Sequence, residues 1–208
     1  MATGSAFDPR RMLSRSRLYR TFQGMVGSGR SRITDEILKI RPGQRVLDIG
    51  CGPADILSRL PADIDYVGFD LEQRYIEAAR QRYGGRASFF VRAVRPDAVH
   101  DLGTFDVVIA LGVLHHLDDS EADTVFASAA KVLRRGGRLV TLDGAWVKGQ
   151  NPVARLMLRL DRGRHIRTPE AYLAIARRYF PDSTASVFHD LIAIPYTHCI
   201  IEAQAPAG

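Results

Sequence analysis

The stretch VLDIGCGPADI, residues 46–56, decides the fold predicted for this chain. An apolar run that includes Asp48 leads into a turn with Gly50 and Gly52. This order is typical of the first strand and first turn of a nucleotide-binding α/β sheet. Because glycine lacks a side chain, the backbone of such a turn can approach a ligand closely. The stretch therefore predicts a ligand site at the carboxyl end of the first strand.

Short apolar runs alternate with helical patterns after this stretch, which indicates a parallel sheet with crossover helices. The predicted strands cover residues 45–49, 66–70, 87–91, 105–110 and 138–142, and the predicted helices cover residues 54–60, 71–83, 96–102 and 120–133. Gly136-Gly137 is expected to end the last of these helices. Two more apolar runs, within residues 183–194 and 196–204, are joined at Pro195 and predict an antiparallel hairpin. The expected fold class is α/β: a doubly wound, mostly parallel seven-stranded sheet with an antiparallel C-terminal edge hairpin and helices on both faces.

The whole chain is expected to form one domain, since 208 residues of which 46% are apolar can build a substantial core. Residues 1–40 are expected to form an N-terminal helical cap of two helices. The apolar face of the first helix would carry Met12, Tyr19, Phe22 and Val26, and the second helix would lie near residues 33–40. Residues 41–145 are expected to form a cofactor-binding core, residues 146–167 an insert over the active site, and residues 168–208 a C-terminal helix and edge strands. That helix should begin at Thr168-Pro169-Glu170, because a hydroxyl residue followed by proline favours a helix start, and should extend to about residue 180.

The net charge of +6 is a property of the N-terminus. Residues 1–32 carry seven arginines against Asp8 alone, so the charges of the remaining residues sum to zero. A nucleic-acid substrate is therefore not expected. No apolar run approaches the roughly 20 residues that a membrane span needs, and the N-terminus lacks an apolar signal-peptide core, which together predict a cytoplasmic protein. Cys51 and Cys199 form no C-x-x-C pair, and we expect no disulfide.

The charges around the glycine turn restrict the ligand. The second predicted strand ends at Asp70, where a carboxylate can accept hydrogen bonds from both hydroxyls of a ribose, and this is compatible with NAD(P) or with S-adenosylmethionine. The dinucleotide pattern G-x-G-x-x-G would place its last glycine at position 55, which is Asp55. An acid at the start of a helix is unfavourable for a pyrophosphate. Asp48 is also unfavourable for a diphosphate, whereas it suits the sulfonium and ammonium groups of S-adenosylmethionine.

Four motifs in order resemble those of the class I S-adenosylmethionine-dependent methyltransferases of the Rossmann-like, small-molecule type. They are VLDIGCGPADI, YVGFDLEQRYIEAAR, FDVVIALGVLHHLDD and VLRRGGRLVTLDG, and the resemblance covers about residues 40–145. It implies S-adenosyl-L-methionine as cofactor and S-adenosyl-L-homocysteine as product. The acceptor would be a small molecule, with oxygen favoured over nitrogen or carbon and an anionic or phosphorylated metabolite as one candidate.

The resemblance also implies a role for each matching residue. Gly50, Cys51 and Gly52 would contact the methionine part through their backbone, and Asp48 would help organise that loop and the ammonium group. Asp70 would bind the ribose, and Leu71 would pack on the adenine. The acid that usually follows the third strand is missing, so backbone atoms of Ala93 and Val94 are expected to replace it. Leu111 and Gly112 would line the region of the reacting methyl group.

Methyl transfer is an in-line displacement, so the protein mainly has to align the acceptor and exclude water. His116 is the first candidate for a base or an acceptor-orienting group, and His115 the second, with a scaffold or cofactor-side role as the alternative for both. Candidate acceptor contacts are Tyr19, Asp143, Arg155 and Arg159, with helix packing (Tyr19), loop capping (Asp143) and a solvated helix face (the arginines) as their alternatives. No metal site is expected, because no i, i+4 histidine pair lies near the strand ends.

Two other functions stay open at this point. The arginine-rich N-terminus would suit an RNA methyltransferase. Alternatively, the chain could bind S-adenosylmethionine as a regulatory or partner protein without transferring a methyl group.

Overall fold

The computed structural model describes residues 32–97, 99–161 and 163–206. The predicted first helix with Met12, Tyr19, Phe22 and Val26 therefore lies outside the described residues. Of the predicted cap, the structure describes a single π-helical turn, Ile33–Leu38, which ends at Lys39 in the left-handed conformation with a φ of 45°. Ile37 and Leu38 are buried and anchor this turn to the core.

Seven strands form one sheet in the order β3-β2-β1-β4-β5-β7-β6. Their bounds are β1 Arg45–Ile49, β2 Asp65–Asp70, β3 Ala87–Val91, β4 Phe105–Leu111, β5 Leu133–Gly144, β6 Thr184–Phe188 and β7 His198–Gln204. The first five strands are parallel, while β7 is antiparallel to β5 and to β6. The doubly wound, mostly parallel sheet with an antiparallel edge hairpin is thus confirmed. Strand order reverses between β1 and β4, and their carboxyl ends border the crevice where ligands bind in such sheets.

Within the described residues, four α-helices flank the sheet: α1 Gln73–Tyr83, α2 Asp119–Val132, α3 Pro152–Leu160 and α4 Pro169–Ala176. Each of the last three has a capped start. Asp118 and Glu121 form a capping box at α2, and the side chains of Asn151 and Thr168 cap α3 and α4, which both continue with proline. Such caps satisfy backbone N–H groups that have no partner inside the helix. The predicted start of α4 at Thr168-Pro169-Glu170 is confirmed.

Helices on both faces give the sheet two apolar cores. On one face, α2 and α4 pack Phe126, Ile175 and their neighbours against Leu47 and Val108. On the other face, α1 contributes Ile76 and Ala79 to a cluster with Val46. Burial on both faces explains the nearly continuous apolar runs of the central strands, as parallel strands require.

Several predicted boundaries are wrong. Helix α2 ends at Val132 and not at Gly136-Gly137, because Leu133 is already extended and pairs with Phe105 of β4. Within the described part of residues 96–102, only His100–Leu102 forms a helical turn, since so short a segment gains few helical hydrogen bonds. The hairpin strands are shorter than predicted, and residues 189–197 form the loop between them.

The insert packs across the carboxyl end of β5. Leu158 of α3 and Tyr196 approach Gly144 so closely that a methyl group on Gly144 would lie 2.7 Å from Leu158 Cδ2 and 2.6 Å from the Tyr196 hydroxyl. Arg167 donates to the carbonyls of Leu114 and Leu117 and forms an ion pair with Asp119. These contacts fix the insert against the turn Leu114–His116, which follows β4. Among the described residues, no helix is both long and apolar enough to cross a membrane.

Candidate active site

The loop after β1 is a cradle made of backbone. Gly50 and Gly52 have φ values of 71° and 54°, in the left-handed region that favours glycine. The N–H groups of Gly50 and Cys51 both donate to the carbonyl of Phe69, at 2.7 and 2.9 Å. A methyl group on Gly52 would meet no atom within 4 Å, whereas one on Gly50 would lie 2.6 Å from Val113. The loop therefore presents an open side at Gly52 and is closely packed at Gly50.

Asp70 ties this loop to the next strand end. Its Oδ2 accepts a hydrogen bond from Gly52 N at 2.9 Å, and its Oδ1 accepts one from Glu72 N at 2.8 Å. A carboxylate has about four acceptor positions, so both oxygens keep capacity for ribose hydroxyls. The predicted ribose contact stays a prediction, with an additional role in ordering the loop.

Two apolar side chains lie exposed beside Asp70. Leu71 is 72% exposed, and Val91 at the end of β3 is 46% exposed. Exposed apolar side chains at neighbouring strand ends can pack on a flat aromatic ligand such as adenine. Leu71 was predicted for this role. Val91 was missed because its position in an apolar strand run resembles that of a core residue. Ala93 and Val94 follow β3 and are half-buried.

Asp48 is buried inside the sheet, with 3% of its surface exposed, and accepts a hydrogen bond from the Tyr66 hydroxyl. Burial raises the pKa of Asp48 to about 7, although the bond from Tyr66 opposes this shift. Its predicted contribution to organising the loop and the ammonium group stays a prediction. Burial also raises the pKa of the Cys51 thiol, which disfavours thiolate chemistry there. Both cysteines are buried free thiols.

Leu111 and Gly112 connect the cofactor loop to a second cluster. Leu111 ends β4, and Gly112 N donates to the carbonyl of Leu142 at 2.7 Å. A methyl group on Gly112 would lie 3.8 Å from Cε1 of His115. The imidazole of His115 therefore borders the segment predicted to line the reacting methyl group.

His115 and Asp143 form a buried pair. Asp143 Oδ1 lies 2.8 Å from His115 Nδ1 and also accepts from His115 N at 3.2 Å. Asp143 is 2% exposed, and its Oδ2 has no hydrogen-bond partner among the described residues. The loop-capping alternative for Asp143 agrees with these contacts. Its contact with an acceptor stays a prediction.

The insert supplies a second carboxylate to this pair. Asp161 Oδ1 lies 3.5 Å from His115 Nε2, and Oδ2 accepts from the Tyr196 hydroxyl at 2.9 Å. His165 N donates to the carbonyl of His115 at 3.0 Å. A methyl group on Gly163 would lie 2.3 Å from the His115 ring. Only glycine at position 163 lets the insert approach the ring this closely.

His116 stands beside the pair on its exposed side. The ring centroids of His115 and His116 are 4.1 Å apart, and the side chain of His116 is exposed. The two predicted catalytic candidates thus differ in access: His116 can meet a ligand from solvent, while His115 lies beneath it. We call His115, His116, Asp143 and Asp161 the His-Asp cluster.

Burial and neighbouring charges shift the pKa values of His115 and Asp143 in opposite directions. Burial by itself lowers the pKa of His115, but the hydrogen bond and charge of Asp143, together with the charge of Asp161, produce a net rise. Burial raises the pKa of Asp143, against the effect of His115. For His198, burial and then the charge of His115 lower the pKa to about 4. The surroundings of His115 therefore favour a positive charge at its position, and those of His198 exclude one.

The remaining acceptor candidates belong to other segments of the chain. Arg155 and Arg159 are on the exposed side of α3, and Tyr19 lies outside the described residues. A cavity of about 310 Å³ lies between α3 and the loop before β7 and shares Tyr196 with this region. Since it touches none of the four cluster residues, we do not assign it to the acceptor. Asp161 and Tyr196 were missed because nothing in their local sequence links them to His115.

Known proteins resemble this chain in sequence. A family model described as a methyltransferase domain matches residues 47–139. The 27-O-demethylrifamycin SV methyltransferase of Amycolatopsis mediterranei is 36% identical over 122 residues, which cover 54% of this chain and 44% of that protein. The phosphoethanolamine N-methyltransferase of Triticum aestivum is 29% identical over 178 residues, which cover 82% of this chain and 34% of that protein. This chain therefore spans less than half the length of these curated relatives.

The fold resembles solved structures as well. A S-adenosylmethionine-dependent methyltransferase from Archaeoglobus fulgidus superposes with a TM-score of 0.69, at 15% identity, over 90% of this chain and 98% of that one. The matched domain covers the glycine loop, Asp70 and the turn that carries the histidines. In its sheet order, its glycine loop and these relatives, the chain resembles the class I S-adenosylmethionine-dependent methyltransferases, and its residues 47–139 match the model of a methyltransferase domain.

Proposed function

We propose that this chain transfers a methyl group from S-adenosylmethionine to a small-molecule acceptor, with an oxygen nucleophile favoured. One observation carries the proposal: the glycine loop packs against the segment that leads to the His-Asp cluster, since a methyl group on Gly50 would lie 2.6 Å from Val113 and one on Gly112 would lie 3.8 Å from the His115 ring. A methyl-transfer site needs a donor pocket and an acceptor group side by side, and this juxtaposition provides both.

The residues around the glycine loop fit S-adenosylmethionine. Gly52 borders open space, Asp70 offers carboxylate oxygens, and Leu71 exposes an apolar surface. The backbone at Gly52 would contact the methionine part, the Asp70 carboxylate would accept hydrogen bonds from the ribose, and Leu71 would pack on the adenine. Leu111 and Gly112 would line the methyl region, and backbone atoms of Ala93 and Val94 would meet the adenine edge.

When bound, the cofactor supplies an electrophilic methyl group on a sulfonium. The chain has to hold the acceptor atom in line with that group and keep water away. Asp143 fixes the orientation of His115 through the 2.8 Å contact, and His115 supports His116 by ring contact. His116 would orient the acceptor hydroxyl or accept its proton, a role that suits an imidazole near neutral pH.

The acceptor class rests on the relatives and on the insert. The names of the relatives describe transfer to a rifamycin and to phosphoethanolamine, which are small molecules. The insert packs against the histidine turn through His165 and Arg167, so it borders the cluster. Arg155 and Arg159 would favour an anionic acceptor. A cytoplasmic location stays part of this proposal.

The test is an assay of the wild-type chain with methyl-labelled S-adenosylmethionine. Hydroxylated, aminated and phosphorylated small molecules are offered as separate pools, and S-adenosylhomocysteine and labelled product are measured by mass spectrometry. We expect acceptor-dependent turnover in the hydroxylated pool. Cofactor binding without turnover on any pool or cell-extract fraction would favour the regulatory alternative. Transfer of the label to RNA would favour the RNA alternative, provided that the binding of RNA to the chain weakens steeply as salt rises.

A further inference from the structure

We propose that His115, His116 and Asp161 form a binding site for a divalent transition-metal ion, with Asp143 as the outer carboxylate that orients His115. Each of the three ligand residues offers one donor atom, and these atoms lie within 4.8 Å of one another. Two ligands come from the turn after β4 and one from the insert. The site therefore exists only when the insert is packed against the turn.

The separation of His115 and Asp161 fits two ligands of one ion. Nε2 of His115 is 3.5 Å from Oδ1 of Asp161, which is longer than a good hydrogen bond. Ligand atoms at about 2.0–2.2 Å from a tetrahedral ion lie about 3.4 Å from each other. The observed distance is thus close to one edge of such a coordination shell.

Asp143 stands where an outer carboxylate of a metal site is found. Histidine ligands usually donate their second ring N–H to a carboxylate or carbonyl, which fixes the ring and directs the other nitrogen to the metal. Here Asp143 Oδ1 lies 2.8 Å from Nδ1 of His115. Nε2 is thereby left facing Asp161.

The charges of the cluster also call for a cation. Asp143 is buried, and its Oδ2 has no hydrogen-bond partner among the described residues. A buried carboxylate is costly unless a proton, a positive charge or hydrogen bonds compensate it. A proton on His115 would balance one of the two carboxylates, Asp143 and Asp161, whereas a divalent ion would balance both.

Two imidazoles and one carboxylate select the kind of ion. This donor set suits Zn²⁺, Co²⁺ or Fe²⁺ better than Mg²⁺ or Ca²⁺, which prefer oxygen ligands. Three protein ligands leave a coordination position open. If the proposed methyl transfer is correct, an acceptor oxygen would occupy that position, and the ion would lower the pKa of the acceptor hydroxyl. His116 would then orient the acceptor through the ion.

The binding test uses the untagged full-length chain without acceptor. After treatment with a chelator and dialysis, Co²⁺ and then Zn²⁺ are titrated. We expect one Co²⁺ per chain with the visible absorption of a low-symmetry site, and its displacement by Zn²⁺. His116→Gln and Asp161→Asn should each weaken Zn²⁺ binding by at least about 10- to 100-fold, the range known for outer partners of metal ligands.

His189→Gln is the matched control, because His189 contacts Thr197 and lies outside the cluster. It should bind Zn²⁺ as the wild type does. Asp161→Asn also changes the partner of Tyr196, so circular dichroism must show a folded chain. His116 is exposed, and His116→Gln keeps the test valid if Asp161→Asn does not fold. Zn²⁺ binding equal in the wild type and His116→Gln, or no uptake by the wild type, overturns the proposal.

The metal site and the proposed function can fail separately. S-adenosylmethionine binding is measured by calorimetry with and without Zn²⁺. Cofactor binding without metal binding overturns only the metal site. Metal binding without cofactor binding or turnover leaves the metal site in place and overturns methyl transfer.

Discussion

The two halves of the candidate active site are built in different ways. The cofactor half, at the ends of β1 to β3, consists of a glycine loop and the carboxylate of Asp70, which holds that loop through Gly52. The acceptor half joins four separate segments: His115 after β4, Asp143 in β5, Asp161 after α3 and Tyr196 before β7. Backbone hydrogen bonds shape the first half, and side-chain contacts between distant segments shape the second.

This difference has a consequence for stability and reactivity. In the cofactor half, both Asp70 oxygens accept backbone hydrogen bonds. In the acceptor half, one oxygen of the buried Asp143 has no partner among the described residues. The cofactor half is therefore held by its own hydrogen bonds, while one carboxylate oxygen of the acceptor half has neither a hydrogen-bond donor nor a cation beside it among the described residues. A substitution in one half should therefore change cofactor affinity without changing turnover of the acceptor step, or the reverse.

The largest effect is expected in the cofactor half. Asp70→Ala should lower the affinity for S-adenosylmethionine by about 2–4 kcal/mol, roughly 30- to 1000-fold, because two bonds from ribose to a charged group are lost. The loss of the bond from Gly52 also loosens the loop. Isothermal calorimetry measures this affinity. Glu72→Ala, an exposed neighbour, should bind as the wild type does, and unchanged affinity in Asp70→Ala would remove Asp70 from the cofactor site.

His116→Ala should affect the acceptor half alone. Turnover on the identified acceptor should fall by roughly 10²-fold or more if His116 accepts or orients the acceptor proton. Cofactor affinity should not change, since His116 is not among the residues expected to hold the cofactor. Steady-state kinetics give kcat and KM, and His189→Ala serves as the control. An unaltered kcat would exclude His116 from the mechanism.

His198 should make the acceptor half sensitive to acid. Its pKa is lowered to about 4 in the fold, against about 6.5 in an unfolded chain. The unfolded chain therefore binds more protons between these values, and stability is lost as pH falls from about 6.5 towards 4. From pH 7 to pH 5, His198 alone should contribute a loss of about 2 kcal/mol in the free energy of unfolding.

Urea unfolding at the two pH values measures this loss. His198→Phe keeps a ring against Tyr196, which lies 4.7 Å from the His198 ring, and should reduce the difference between the two pH values. If wild type and variant lose the same stability, His198 is not the source of the acid sensitivity.

The smallest effect concerns the packing of the insert. A methyl group on Gly163 would lie 2.3 Å from the His115 ring and 2.8 Å from its carbonyl, so Gly163→Ala should shift the insert. Turnover should fall by about tenfold, because small displacements of positioned groups are costly, while cofactor affinity stays the same. Gly85→Ala is the control, since nothing lies within 4 Å of its added methyl group. A fall in cofactor affinity instead would show that the two halves are not independent.

Much of the sheet could be predicted from the sequence. Strands β1 and β3 have the predicted bounds, and β2 and β4 differ by one residue each. These strands are buried, and their apolar runs end at glycines or acids that mark the turns. The start of β5 was missed because Leu133 continues the helical pattern of α2 and is drawn into the sheet only by pairing with Phe105.

The candidate site could be predicted only in its cofactor half. Gly50, Gly52, Asp70 and Leu71 lie at strand ends whose positions follow from the sheet. His115 and His116 could be proposed as catalytic residues because they are histidines after the fourth strand. Which of the two is exposed to solvent depends on how the insert packs. Asp161 was not a candidate, because it lies in a segment without periodic pattern and meets His115 only after Gly163 brings the two backbones together.

By itself, the sequence determined the sheet class, the glycine loop and the carboxylate at the second strand end. These features depend on local conformation and on apolar periodicity, which the order of residues encodes directly. The tertiary structure alone decided the partners of His115 and the exposure of His116. Those contacts join segments far apart along the chain, and they form only where glycines at positions 144 and 163 leave room for close approach. The donor side of the site is thus encoded locally, and the acceptor side arises from packing.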